Sequence, residues 1–225
     1  MKKCFTTLCI LFALTMLSQV SKAGTYYVIN GEPFSLSPAA GSNFLQYIWT
    51  IKTGAAQTIE TLDEASGGVL THTFSDATSS PTLHTISLGV IQVLDGCLSE
   101  VVEHTIIVLP KLTVSITADK SNFCTDKAVD ATLSASVSAV TGLGTYEVTV
   151  SPFAWSKGGS LITGEVSPTL DVTDVGIYEA VVSYILPTSG TYQPTASKLL
   201  NSVIPGSQEI LHNLAVPITP IITLN

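Results

Sequence analysis

Leu45-Gln46-Tyr47-Ile48-Trp49-Thr50-Ile51 is the stretch that decides the fold. Leu45, Tyr47, Trp49 and Ile51 recur at every second position, the period at which an extended chain returns side chains to one face. A helix needs its apolar residues three and four apart, and these four would scatter around it. The pattern predicts a half-buried strand. Upstream, Phe34-Ser35-Leu36 alternates after the turn signal Asn30-Gly31. Downstream, Lys52-Thr53-Gly54 turns the chain, and residues 55–68 read as a polar loop ending in Gly67-Gly68. Strands are predicted over 69–74, 84–93 and 101–109, with Asp95-Gly96 as a hairpin turn. Pro110-Lys111 then breaks the ladder.

The same spacing occurs a second time. The first copy contains Trp49, the strand 86–90 and Pro110; the second contains Trp155, the strand 178–182 and Pro217. Alternating strands are predicted over 112–118, 131–137, 146–155 and 180–185, with Pro152 marking an edge or a bulge. Between the last two, the alternating run 169–172 leads into Asp174. Residues 186–210, punctuated by Pro187, Gly190, Pro194, Pro205 and Gly206, read as a long loop or an extra hairpin. No helical apolar stripe of about 11 residues appears after the first segment. The expected fold is all-β: two tandem β-sandwich domains, 24–110 and 111–225, with Pro110 as the hinge. Trp49 and Trp155, both mid-strand, are expected to be core anchors rather than carbohydrate-stacking platforms.

Residues 1–23 have the form of a secretory signal. Lys2 and Lys3 give a charged start, residues 9–17 an apolar core, and Ser21-Lys22-Ala23 the small residues that precede cleavage before Gly24. The core is too short to span a bilayer, which takes about 20 residues. Cys4 and Cys9 lie too early for lipidation. Removing this segment leaves about 200 residues, enough for two domains.

It also leaves six lysines against 17 acidic residues, a charge of −11, and the chain has no Arg. Such a balance excludes nucleic acid and anionic membrane as partners. Abundant Thr, Ser, Val and Ile with only 12% charged residues is a β composition.

The run Asp174-Val175-Gly176-Ile177-Tyr178 resembles the tyrosine corner of immunoglobulin-like sandwiches, in which the Tyr hydroxyl ties a loop to its own backbone. With Trp155 about twenty residues earlier, the second module resembles an Ig-like domain. Ala180 stands where such a domain carries a Cys, so the inter-sheet disulfide is absent and Trp155 is expected to pack on aliphatic side chains. The first module resembles the PKD-like repeats of secreted and surface proteins of Bacteroidetes-type bacteria. Tyr47-Ile48-Trp49, Thr73-Phe74, the alternating Ile86, Leu88 and Val90, and Asp95-Gly96-Cys97 carry that resemblance. It departs at Lys52-Thr53-Gly54, where Gly-Asp-Gly is usual, and at His84, where an aromatic Tyr is usual. The resemblance implies a cell-surface role and names no ligand. Residues 216–225 resemble the module junction 108–117. They read as the last strand of module two or the first strand of a third module.

In such repeats a Cys near the first strands pairs with one near the last hairpin. Module one keeps only Cys97, with Ile29 in the partner's place; module two keeps only Cys124. A bridge between the two would cross the junction, over strands that advance about 3.3 Å per residue, whereas bridged Cα atoms lie within about 7 Å. The alternatives are that bridge or two partly buried free thiols.

Candidate chemistry is sparse. His72, His84, His104 and His212 lack metal-ligand spacing, and Asp63-Glu64, Asp126 and Asp130 lack the closely spaced oxygens of a Ca²⁺ loop. Gly158-Gly159-Ser160 is a turn, not a nucleophile elbow. No cofactor, metal or enzymatic activity is expected. The expected role is an extracellular structural or adhesive module, with other surface proteins as partners. The rival is a carbohydrate-binding protein of a glycan-uptake system, for which Tyr26, Tyr27, Tyr146, Tyr184 and Tyr192 are the spare aromatics.

Overall fold

A computed structural model describes residues 23–38, 43–76 and 78–216. The signal segment up to Lys22, Pro217 and the rest of the 216–225 stretch lie outside the described residues. The early strands are β1 (Thr25–Ile29), β2 (Phe34–Leu36), β3 (Gln46–Thr53), β4 (Ala56–Asp63), β5 (Leu70–His72), β6 (Thr82–Ile91) and β7 (Val102–Leu109). Next come β8 (Leu112–Ala118), β9 (Asn122–Cys124), β10 (Ala131–Val137), β11 (Thr149–Val150), β12 (Ala154–Lys157), β13 (Ser160–Leu161) and β14 (Thr169–Val172). The last five are β15 (Gly176–Val181), β16 (Tyr184–Ile185), β17 (Ala196–Lys198), β18 (Val203–Ile204) and β19 (Gly206–Leu214). The all-β expectation holds.

The chain forms two compact units that are not consecutive halves. One contains Gly24, Ser37–Leu70 and Thr85–Thr105; the other contains Thr25–Leu36, Thr71–His84 and the chain from Ile106 onward. The expected boundary at Pro110 does not separate cores. Tyr27, Ile29, Ile107 and Leu109 belong to the same buried cluster as Leu112, Leu133, Trp155 and Ile210.

In the smaller unit β3 is central. Its alternation is real: Tyr47, Trp49 and Ile51 are buried. On one side β3 pairs antiparallel with β6, placing Trp49 opposite Leu88; on the other it pairs with β4, placing Trp49 opposite Glu60. β4 corrects the expected polar loop over 55–68. Ala56-Gln57-Thr58-Ile59-Glu60-Thr61-Leu62-Asp63 buries neither face fully, so it lacks the period-two signal of a half-buried strand. Its backbone pairs with β3 nonetheless, closing a hairpin through the Gly54 turn. The chain then passes through a short 3-10 turn, Glu64–Ser66, capped by Asp63, whose Oδ1 accepts the Ser66 N–H at 3.0 Å. This turn delivers Gly67-Gly68 over β3. There the Trp49 indole N–H donates to the Gly68 carbonyl at 2.9 Å.

The larger unit packs two sheets around one core. One has the order β14-β10-β8-β18, the other β13-β12-β15-β19-β9. Leu112, Val114, Leu133, Leu170 and Val172 face Trp155, Tyr178, Ala180 and Ile210 within that core. The expected strand over 146–155 is broken: a 3-10 turn ends at Tyr146, β11 is two residues long, and β12 resumes at Ala154 after Pro152. Pro152 has no amide N–H and cannot continue a ladder. The expected loop or hairpin over 186–210 gives way to β17, parallel to β1, and to the nine-residue β19. β19 runs antiparallel to β15 and parallel to β9. Its residues Gln208, Glu209, His212 and Asn213 hid the strand, because only Gly206 and Ile210 are buried.

Gly68 tests this framework. Its φ is +67°, and a Cβ there would lie 2.4 Å from the Tyr47 ring. Gly68→Ala adds backbone strain to a steric clash in the core, and the expected loss is about 3 kcal/mol in urea unfolding. An unchanged midpoint would mean that the 64–68 turn does not press on β3.

Candidate functional site

The structure distributes its polar and aromatic groups over four places. The first is the corner predicted at 174–178. The Tyr178 hydroxyl donates to the Asp174 carbonyl at 2.9 Å. Lys157, at the end of β12, folds back over this corner: its Nζ is 3.2 Å from Asp174 Oδ2 and 5.5 Å from the Tyr178 ring centroid. Burial lowers the Lys157 proton affinity, but Asp174 and Tyr178 outweigh it and hold the ammonium above the usual lysine value. Gly176, at φ +146°, leaves room for the Lys157 chain, whose Cε would lie 3.0 Å from a Cβ there.

The second is the Trp155 site. The indole is fully buried and donates to the Ser167 carbonyl at 2.8 Å. Directly across the sheet stands Ala180. It is also fully buried. The small Ala180 side chain leaves the indole among the aliphatic residues of the buried cluster and Phe153.

The third is a polar cluster that sequence reasoning missed. His84, only 2% exposed, sends Nε2 to Asp76 Oδ2 at 2.8 Å, and the Thr82 hydroxyl donates to the same carboxylate oxygen. The His84 ring stacks on Phe74 with centroids 4.1 Å apart, and Phe74 stacks on Phe34 at 5.6 Å. His84 thus serves as an aromatic member of this stack. Asn30 clasps the Asp76 loop: its Oδ1 accepts the Asp76 N–H at 2.9 Å, and its Nδ2 donates to the Asp76 carbonyl. Burial pushes the Asp76 carboxyl up, while the Thr82 hydroxyl and the His84 ring prevail and hold it below the usual aspartate range.

A hydroxyl, an imidazole and a carboxylate together suggest a nucleophile relay. A relay needs the hydroxyl on one ring nitrogen and the carboxylate on the other. Here Thr82 Oγ1 and Asp76 Oδ2 both meet Nε2, at 3.1 and 2.8 Å. Both contacts fall on one ring nitrogen, and the Thr82 hydroxyl donates to Asp76 itself, so the three groups are not in relay order. An open depression of about 400 Å³ lies beside this cluster, lined by Asn30, Asp76, Thr78, Pro110 and Lys111 among others. Its polar groups are engaged with protein: Asn30 with Asp76, and Lys111 with Glu32 at 2.7 Å.

The fourth place holds the spare tyrosines. Tyr27 and Tyr184 are interior. The Tyr27 hydroxyl donates to the Tyr192 carbonyl at 2.8 Å, and burial, with Glu147 and two neighbouring tyrosines, pushes it up to about 12. The Tyr184 hydroxyl donates to the Pro110 carbonyl at 2.7 Å, and burial raises it further still. Pro110, expected as a hinge, is buried and pinned by this bond. Tyr146 and Tyr192 form an edge-to-face pair with centroids 5.1 Å apart, both half-buried. Tyr26 precedes Tyr27 on β1. Adjacent strand residues point to opposite faces, so the five tyrosines do not line one surface.

The remaining candidates are spread out. Cys97 is exposed and Cys124 half-buried, and both are free thiols. Asp63 caps a turn, Asp126 pairs with Lys127 at 3.6 Å, and Asp130 approaches Lys120 at 3.8 Å. Gly158 and Gly159 form the β12–β13 turn. Among the described residues, no group of three or more His, Cys, Asp or Glu is placed to hold a metal ion. Among the same residues, no helix is long and apolar enough to cross a membrane.

No family model matches the chain, and no curated protein matches it. Solved structures align with it. The fibronectin(III)-like modules of Clostridium thermocellum CbhA do so with a TM-score of 0.38 and 18% identity, over 85% of this chain and 90% of that one. The N-terminal four Ig domains of Dscam1 isoform 6.9 align with a TM-score of 0.32 and 16% identity, over 86% of this chain. The chain spans 44% of that Dscam1 fragment. The protein is all-β, and its larger unit is a β-sandwich. Its own packed sheets, its corner at Tyr178 and its buried Trp155 carry that assignment.

Two substitutions test these sites. Tyr184→Phe keeps the ring but removes the donor to the buried Pro110 carbonyl, and the expected loss is about 1–3 kcal/mol in urea unfolding. Asp76 has a lowered folded pKa, so its contribution is present above the ordinary aspartate value and is lost as pH falls through the folded one. Asp76→Asn should therefore be less stable than the parent at about pH 6, and the gap should narrow below about pH 4. A gap independent of pH would remove the carboxylate from the account.

Proposed function

We propose that the protein is an exported, non-catalytic structural or adhesive module protein, a spacer or a part of a cell-surface assembly. Residues 1–23 direct export and are removed before Gly24. One observation carries the reading: the aromatic and polar groups that could serve a ligand are spent on the protein's own backbone. Tyr27 and Tyr184 donate to backbone carbonyls, and Trp49 and Trp155 do the same from the core. The shared Nε2 contact at His84 supports a structural role for the Asp76 cluster. The edge strand β4 adds support for assembly. It ends its sheet, is eight residues long, and carries Ile59 at 60% exposure. Such an edge accepts a further strand from another chain.

The glycan-binding rival is left with the Tyr146–Tyr192 pair. Fractionation of producing cells with native mass measurement, followed by a glycan array, separates the two. The structural reading expects surface-held or assembled protein and no glycan binding. Saturable glycan binding that is lost in Tyr192→Ala would overturn it.

A further inference from the structure

Gly24 is a built position. It is buried, its N–H donates to His104 Nδ1 at 3.0 Å, and its carbonyl accepts the Thr105 N–H at 2.9 Å. His104 lies on β7 and is half-buried. Its neighbour Glu103 is exposed and bonded to Lys52, and strand alternation directs it to the other face. The next residue is also fixed: the Thr25 N–H donates to Thr195 Oγ1 at 3.1 Å, and the Thr25 carbonyl accepts the Thr195 N–H at 2.7 Å.

We propose that cleavage before Gly24 creates an α-ammonium that is seated on His104, making the mature amino terminus a fixed structural group. The proposal rests on the processing reading above. Hydrolysis of the Ala23–Gly24 bond places the water's hydroxyl on the Ala23 carbonyl carbon and a hydrogen on the Gly24 nitrogen. That amine takes up a further proton near neutral pH, where α-amino groups are largely charged. The single N–H that met Nδ1 becomes one of three on a cation, and the bond becomes charge-assisted. For Nδ1 to accept, the ring proton must sit on Nε2. Burial already lowers the proton affinity of His104, which favours this neutral form. An adjacent ammonium disfavours an imidazolium further.

The test uses the exported protein and a version that retains Ala23 ahead of Gly24. Intact mass of the exported protein first reports the start residue; a start other than Gly24 overturns the processing reading and the proposal with it. NMR titration then follows the His104 ring, assigned by its loss in His104→Gln. The proposal expects the Nε2–H tautomer in the exported protein. It also expects His104 to bind a proton on the order of tenfold more weakly there than in the Ala23-extended protein, where the nitrogen is a neutral amide. Equal proton affinity in the two proteins, or the Nδ1–H tautomer, overturns the anchor while leaving the processing reading intact.

Discussion

A buried indole or phenol carries one polar hydrogen, and leaving it without an acceptor costs about 1–3 kcal/mol. In this chain the acceptor is repeatedly a backbone carbonyl outside the strand that carries the ring. Trp49 reaches Gly68, Trp155 reaches Ser167, Tyr178 reaches Asp174, and Tyr184 reaches Pro110. Each bond fastens a connecting segment to the sheet beneath it. In the larger unit three of these fastenings surround one core, in which Ala180 stands beside Trp155 on the neighbouring strand. Burial of the ring supplies the apolar gain, and the single donor fixes which loop conformation accompanies it.

The same economy explains the polar clusters. His84 is an aromatic partner for Phe74 and a hydrogen-bonding partner for Asp76, so one side chain closes a stack and satisfies a carboxylate. Lys157 covers the Tyr178 ring and meets Asp174. Among the described residues, no buried side-chain nitrogen or oxygen lacks a partner. Groups committed in this way are poorly placed to meet a ligand, because each new bond would first break an internal one.

Strands with one buried face were legible in the sequence. β3, β8, β10 and β14 alternate cleanly, and 112–118, 131–137 and 169–172 were readable to the residue. Strands without a buried face were not. β4 has no fully buried residue, and β19 buries two of its nine residues, so neither shows the period on which the reading depends. Boundaries between cores were equally hidden, since Tyr27 and Leu109 look the same in sequence whichever core receives them. The Tyr178 corner was visible because all its parts lie within five residues of chain. The Asp76–His84 cluster was not, because its clasp comes from Asn30, distant in the chain.

The pairing of β1 with β17 sets a condition on the order of folding. Tyr26, Tyr27 and Val28 lie beside Ala196, Ser197 and Lys198, so the first strand meets this neighbour only after nearly the whole chain has been made. Contacts of such separation close slowly, because the intervening chain must surrender its freedom first. The beginning of the chain therefore cannot complete its sheet ahead of the end. That ladder therefore closes late, whereas a hairpin such as β3–β4 joins residues a few positions apart and needs no distant partner.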